Sequence, residues 1–114
     1  MDRSPLRMTL PTQLVLRALL EDPTEERYGL ELCEMAGLPS GTIHPILARL
    51  EREQLLESRW ENVDPHEQGR PRRRYYRLTP DGAAAARLEL ARVSVKSSRA
   101  ITSLRPGLAG EARA

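Results

Sequence analysis

Residues 69–79 read GRPRRRYYRLT, in which Arg70, Arg72, Arg73, Arg74 and Arg77 surround two adjacent tyrosines. Guanidinium groups at this density suit one chemistry: bidentate, charge-assisted hydrogen bonding to phosphate or carboxylate oxygens. The bland reading of the same residues is a solvated hairpin whose charges stop an edge strand from pairing with other chains. A second polar set lies upstream in SGTIHPILARLER, where Ser40, Thr42, His44 and Arg49 fall largely off the apolar face made by Ile43, Ile46, Leu47 and Leu50. Side chains near the amino end of such a helix reach phosphates or base edges, and the helix dipole there favours an anion.

Other chemistries find no support. The sequence has no Gly-rich phosphate loop, nucleophile elbow, zinc motif or spaced carboxylate pair, so no catalytic residue is assigned. Cys33 is the single cysteine and His44 and His66 the only histidines. This excludes an intramolecular disulfide and makes a metal site improbable, and a buried thiol in a reducing compartment is the expectation. Neither a metal nor a cofactor is expected. Absence of a long apolar run or a leader-like amino terminus points to a cytoplasmic chain without a membrane span.

The net charge of +2 conceals an uneven distribution. Residues 1–58 carry six Arg against ten acids, or −4, and residues 59–114 carry twelve Arg or Lys against six acids, or +6. A chain of 114 residues with 4% aromatics and no Phe supports one small core built from Leu, Val, Ile and Ala. Pairing with a second copy would bury apolar surface that so thin a core leaves uncovered.

The elements needed to position the two polar sets are well punctuated. TLPTQLVLRALLEDP has apolar residues at helical spacing (Leu10, Leu14, Leu16 or Ala18, Leu19), with Thr9 or Thr12 as cap and Pro23 as stop. ERYGLELCEMAGLP gives a short second helix with Leu30, Cys33 and Met35 or Ala36 inward and Gly37 as left-handed cap. Ser40 opens a third, which tolerates Pro45 near its first turn. From Leu55 the period changes to two: Leu56, Ser58 and Trp60 alternate with Glu57, Arg59 and Glu61. DPHEQGRP reads as a loop and RRRYYRL as a returning strand. Thr79-Pro80-Asp81 carries a cap, a first-position proline and an acid at the positive end of the dipole, and starts a long helix that ends near Leu104.

The expected fold is therefore mainly α with a small β-hairpin: a winged helix-turn-helix over residues 1–79, one long dimerisation helix over 80–105, and a frayed tail over 106–114. YGLEL at 28–32, LPSGTIHPILARLEREQLLESRW at 38–60 and GRPRRRYYRLTPDG at 69–82 resemble the PadR family of transcriptional regulators. The resemblance runs over residues 10–82, with three separated motifs in the family's order. It implies a winged-helix homodimer that represses transcription, of the small type with a single carboxy-terminal helix. Two residues depart from the pattern: His44 replaces the usual tyrosine, and Gln54 stands where a glycine usually follows the recognition helix.

On this reading the DNA-binding set is Ser40, Gly41, Thr42, His44, Pro45 and Arg49 from the third helix, with Arg70, Arg72, Arg73 and Arg74 from the wing. Alternation along the strand leaves two or three of the wing arginines facing DNA. Tyr28, Tyr75 and Tyr76 are read as packing residues and His66 is given no role. The dimer seam is Ala83, Ala86, Leu90, Val93, Ser97, Ala100, Ile101 and Leu104, at alternating spacings of three and four. The partners are double-stranded DNA and a second copy. The rival readings are a winged-helix module that binds an acidic protein and a ligand-responsive repressor, although residues 80–114 offer no aromatic to stack on a small-molecule effector.

Overall fold

The computed structural model describes the backbone of residues 7–104 and the side chains of residues 7–98. The chain runs α1 (Leu10–Leu20), β1 (Arg27–Tyr28), α2 (Gly29–Ala36), α3 (Ser40–Arg52), β2 (Leu56–Trp60), α4 (Pro65–Gln68), β3 (Arg74–Leu78) and α5 (Pro80–Leu104). This is the winged-helix arrangement, mainly helical with a small antiparallel sheet and a long final helix.

Thr9 caps α1 through its hydroxyl, and the inward face is Thr12, Val15, Leu16 and Leu19, at steps of three, one and three. Leu10, expected on that face, is 65% exposed. Thr12 takes the first core position instead because its hydroxyl is bonded by Thr9 Oγ1 at 3.0 Å and by Arg49 Nη2 at 2.8 Å, which removes the penalty for burying it. In α2, Ala36 is buried and Cys33 and Met35 pack against the core as expected, but Leu32 rather than Leu30 is the buried leucine and Leu30 faces outward. Gly37 at φ 69° closes α2 as a left-handed cap. In α3 the expected apolar face of Ile43, Ile46, Leu47 and Leu50 is the observed one, and the helix continues through Pro45.

The sheet has the order β1-β3-β2 and both pairings are antiparallel. Tyr28 pairs with Tyr75 and Arg27 with Tyr76, so a third strand lies where the sequence reading began the second helix. Two residues are too few to show any period of their own. In the hairpin, Leu56 lies opposite Leu78, Ser58 opposite Tyr76 and Trp60 opposite Arg74. The wing is not wholly irregular. Asp64 caps α4 by accepting from the His66 amide at 2.9 Å, Pro65 begins it, and Gly69 at φ 67° ends it. These are the start signs read at Thr79-Pro80 and the glycine stop read at Gly37, compressed into a single turn.

At the base of the wing three segments cross. The Thr79 amide donates to Leu55 O at 3.1 Å, and the Thr79 hydroxyl accepts from the Gly82 amide at 2.9 Å, capping α5 as expected. Gly82 lies so close to β2 that a β-carbon would fall 2.0 Å from Leu55 O. Just before this crossing Gln54 adopts φ 65°, so the position where a glycine was expected does hold a left-handed residue. From there Ala83, Ala86 and Leu90 run into the core beside Leu55, Leu56 and Leu78. The tail assignment for 106–114 lies outside the described residues.

Candidate nucleic-acid interface

The amino end of α3 differs from the other helix starts among the described residues. Thr9, Asp64 and Thr79 side chains cap α1, α4 and α5, and Glu31 returns to the Tyr28 amide at the start of α2 at 3.3 Å. Before α3 stands Pro39 in an extended conformation, and no side chain caps the helix. Ser40 is the first helical residue rather than the cap. Ser40, Gly41, His44 and Pro45 are exposed and Thr42 is partly so, all opposite the apolar side that holds the helix to the core. Uncapped amides and hydroxyls at a positive helix end form a ready receptor for a phosphate.

Arg49 does not join this surface. Its Nη2 donates to Thr12 Oγ1 at 2.8 Å and to Arg7 O at 3.4 Å, which ties α3 to α1. His44 leans toward α2: a β-carbon on Gly29 would lie 3.0 Å from His44 Cε1.

The wing arginines fall into two classes. Arg70 donates to both oxygens of Glu61 at 2.8 and 3.0 Å, Arg77 pairs with Glu57 at 2.7 Å, and Arg74 lies 3.6 Å from Glu51 and 5.0 Å above the Trp60 ring. Arg59, outside the assigned set, forms a two-pronged pair with Glu26 at 2.7 Å and lies 5.2 Å from the Tyr75 centroid. These cations already have anionic partners. Arg72 and Arg73, by contrast, meet no carboxylate at ion-pair distance among the described residues. Arg72 Nε donates to Val63 O at 2.8 Å with its side chain exposed, and the Arg73 guanidinium lies 4.2 Å over the Tyr28 ring.

Glu61 organises the wing. Its carboxylate accepts from Arg70, from the Arg73 amide at 3.2 Å and from the Tyr75 hydroxyl at 3.5 Å. The Arg70 hydrogen bonds, aided by the Arg73 amide, hold the Glu61 carboxyl at about 2. Arg59 likewise lowers the Glu26 carboxyl, chiefly through its hydrogen bonds. Burial pushes the Tyr76 hydroxyl up. Tyr28 and Tyr75 meet edge to face at 5.8 Å, in keeping with the packing role assigned to them.

Sequence reasoning named the wing arginines but missed Glu61, Glu26, Arg59 and Gly29 as parts of this surface. The signal for Glu61 was present, because the alternation Glu57, Arg59, Glu61 places three charged residues across from Arg77, Tyr75 and Arg73. Glu26 and Gly29 gave none, since their partners lie far away in the chain.

The expected dimer seam divides in two. Ala83, Ala86 and Leu90 are buried against the chain's own core, so little of them remains for a partner. Val93 is half-buried and Ser97 exposed, and the side chains of Ala100, Ile101 and Leu104 lie outside the described residues. The open apolar face of α5 is instead Leu88, 68% exposed, with Ala91 and Val95. Among the described residues no helix is long and apolar enough to cross a membrane, and no three His, Cys, Asp or Glu side chains gather as metal ligands.

Residues 15–88 match the transcriptional regulator PadR-like family. No curated protein sequence matches the chain. A PadR-like transcriptional regulator from Bacillus cereus has a similar structure, with a TM-score of 0.62 and 23% identity, over 82% of this chain and 90% of that one. A PadR family regulator from Clostridium difficile is similar over 87% of this chain and all of its own, with a TM-score of 0.61 and 23% identity. BpsR of Bordetella bronchiseptica, whose DNA binding is regulated by 6-hydroxynicotinic acid, gives a TM-score of 0.63 at 19% identity. The alignment covers 83% of this chain, which spans 65% of the length of that protein.

Proposed function

This chain belongs to the PadR-like family of transcriptional regulators, and from that premise we propose that it acts as a homodimeric repressor bound to an inverted-repeat DNA site. In this reading α3 lies in the major groove, with Thr42 and His44 toward base edges and the uncapped helix start on a phosphate. Arg72 and Arg73 lie along the backbone beside it. The observation that carries the reading is the two-sidedness of α3: four apolar residues, none more than 8% exposed, hold one side, and an uncapped polar side is left open. Two copies would join along the Leu88, Ala91 and Val95 face of α5, and occupancy of a promoter by the pair would exclude polymerase.

Selection from a random duplex pool, followed by binding measurements at one fixed salt concentration, tests this. Thr42→Ala or His44→Ala is expected to lower preference for the selected site by about fivefold to a hundredfold while sparing binding to random duplex. Equal losses on both duplexes, or a selected site without dyad symmetry, would refute the placement of α3. A DNA-independent complex with an acidic protein would favour the interaction-module reading instead.

A second reading, response to a small molecule, draws on a groove of about 420 Å³ between the α1–β1 turn and the start of α5. Pro23, Leu78, Pro80 and Ala83 make it apolar, Arg77 and Glu57 of its lining neutralise each other, and Arg87 is its further cation. That combination suits a small organic anion, the class to which the BpsR effector belongs. Release of DNA on addition of 6-hydroxynicotinic acid, lost in Arg87→Ala, would support it.

A further inference from the structure

We infer that Gly29 is a positioning residue for His44, its bare Cα setting the orientation of the imidazole that α3 presents. The inference rests on the placement of His44 at the base edges and adds what holds the ring there.

The observation is a close approach. A β-carbon at Gly29 would stand 3.0 Å from His44 Cε1, closer than carbon atoms ordinarily come, and at an ordinary 3.7 Å from Nε2. The ring therefore rests over the first residue of α2, where a β-carbon would press on it. Backbone conformation does not account for a glycine here, because Gly29 is not among the positive-φ residues. Helix propensity does not either, since alanine is the better helix former. Close packing against His44 is the remaining demand on the position.

The floor beneath the ring is itself fixed to the wing. Tyr28, one residue earlier, pairs in register with Tyr75, meets its ring edge to face at 5.8 Å and carries the Arg73 guanidinium at 4.2 Å. Its amide is held by Glu31 at 3.3 Å, and Glu31 also takes Arg27 at 3.3 Å. One short segment thus touches a wing arginine through Tyr28 and the recognition helix through Gly29. His44 itself is exposed, so the ring gives way when the floor rises, moving by a few tenths of an ångström. Hydrogen bonds to a base edge are steep enough in distance and angle to register such a swing.

The test is a double-mutant cycle over Gly29→Ala and His44→Ala, read as the ratio of affinities for the selected and random duplexes at one salt concentration. Gly29→Ala is expected to lower the ratio by about threefold to tenfold, to leave the melting temperature unchanged or raised, and to have no further effect in the His44→Ala background. In the free protein the His44 Cε1–H resonance should move in Gly29→Ala. An unmoved resonance with an unchanged ratio overturns the inference. So does an equal loss in the His44→Ala background, which would mean that Gly29 acts on DNA without the ring. Should His44→Ala alone leave the ratio unchanged, the base-contact reading falls. The resonance then decides: a shift upholds the positioning and its absence overturns it.

Discussion

Arg72 and Arg70 are two residues apart and have opposite circumstances. Arg70 is clasped by Glu61, so a phosphate approaching it must displace a carboxylate, whereas Arg72 offers an exposed guanidinium held only by a backbone carbonyl. Arg72→Ala is therefore expected to weaken binding to all duplexes alike and to reduce the slope of log affinity against log salt by about one unit. Arg70→Ala should leave the slope nearly unchanged while loosening the wing. Titrations of both variants against random duplex at several salt concentrations check the contrast. Glu61 yields a second prediction. Its folded-state carboxyl sits at about 2, below the ordinary value of 4.5, so the stabilisation is complete above the ordinary carboxylate range and is lost as pH falls toward 2. The difference in melting temperature between wild type and Glu61→Gln should be constant near neutrality and shrink on acidification below about 4.5. At this scale the sequence shows which residues carry charge but not which charges are already neutralised. The pairs Arg59–Glu26 and Arg74–Glu51 bridge separate elements, and only folding brings them together.

In the elements, what was legible followed the strength of the repeat. The α3 face was read correctly because Ile43, Ile46, Leu47 and Leu50 are its only large apolar residues. The α1 and α2 faces were read only in part: Leu10 and Leu30 were placed inward and Thr12, Val15 and Leu32 were missed, because apolar residues occur on both sides and Thr12 is buried by its hydrogen bonds. The two-residue β1 and one-turn α4 are too short for any period. Two backbone positions at the base of the wing give opposite expectations. Gly82→Ala would place a methyl group on Leu55 O, and overpacking against backbone is expected to cost about 1–3 kcal/mol or more, measurable by urea unfolding. Gln54→Gly removes the cost of a left-handed conformation from a residue with a β-carbon, and a gain of about 0.5–1 kcal/mol in the same measurement is expected.

For the whole molecule, the long helix was legible in the sequence, but which of its faces is left open was not. An alanine-rich stripe fits a chain's own core as readily as a second chain, and here Ala83 and Ala86 serve the former. The dimer proposed along Leu88 and Val95 predicts that Leu88→Glu combined with Val95→Glu sediments as a monomer that still unfolds cooperatively. A dimer retained at micromolar concentration would shift the interface elsewhere on the chain. The crossing at Thr79 has a geometric consequence for such a pair. With its amide on Leu55 and Gly82 pressed against the same carbonyl, α5 is fixed at its base, and it runs on past Leu90, its last buried residue among those described, for 14 residues, about 21 Å. A tilt of about 9° in that stretch carries the far end through about 3 Å, close to the ~3.4 Å rise of one base step. In the proposed dimer, the angle set at one threonine and one glycine would act as a gauge for the distance between two DNA half-sites, and a tilt of that size would retune that distance by about a base pair.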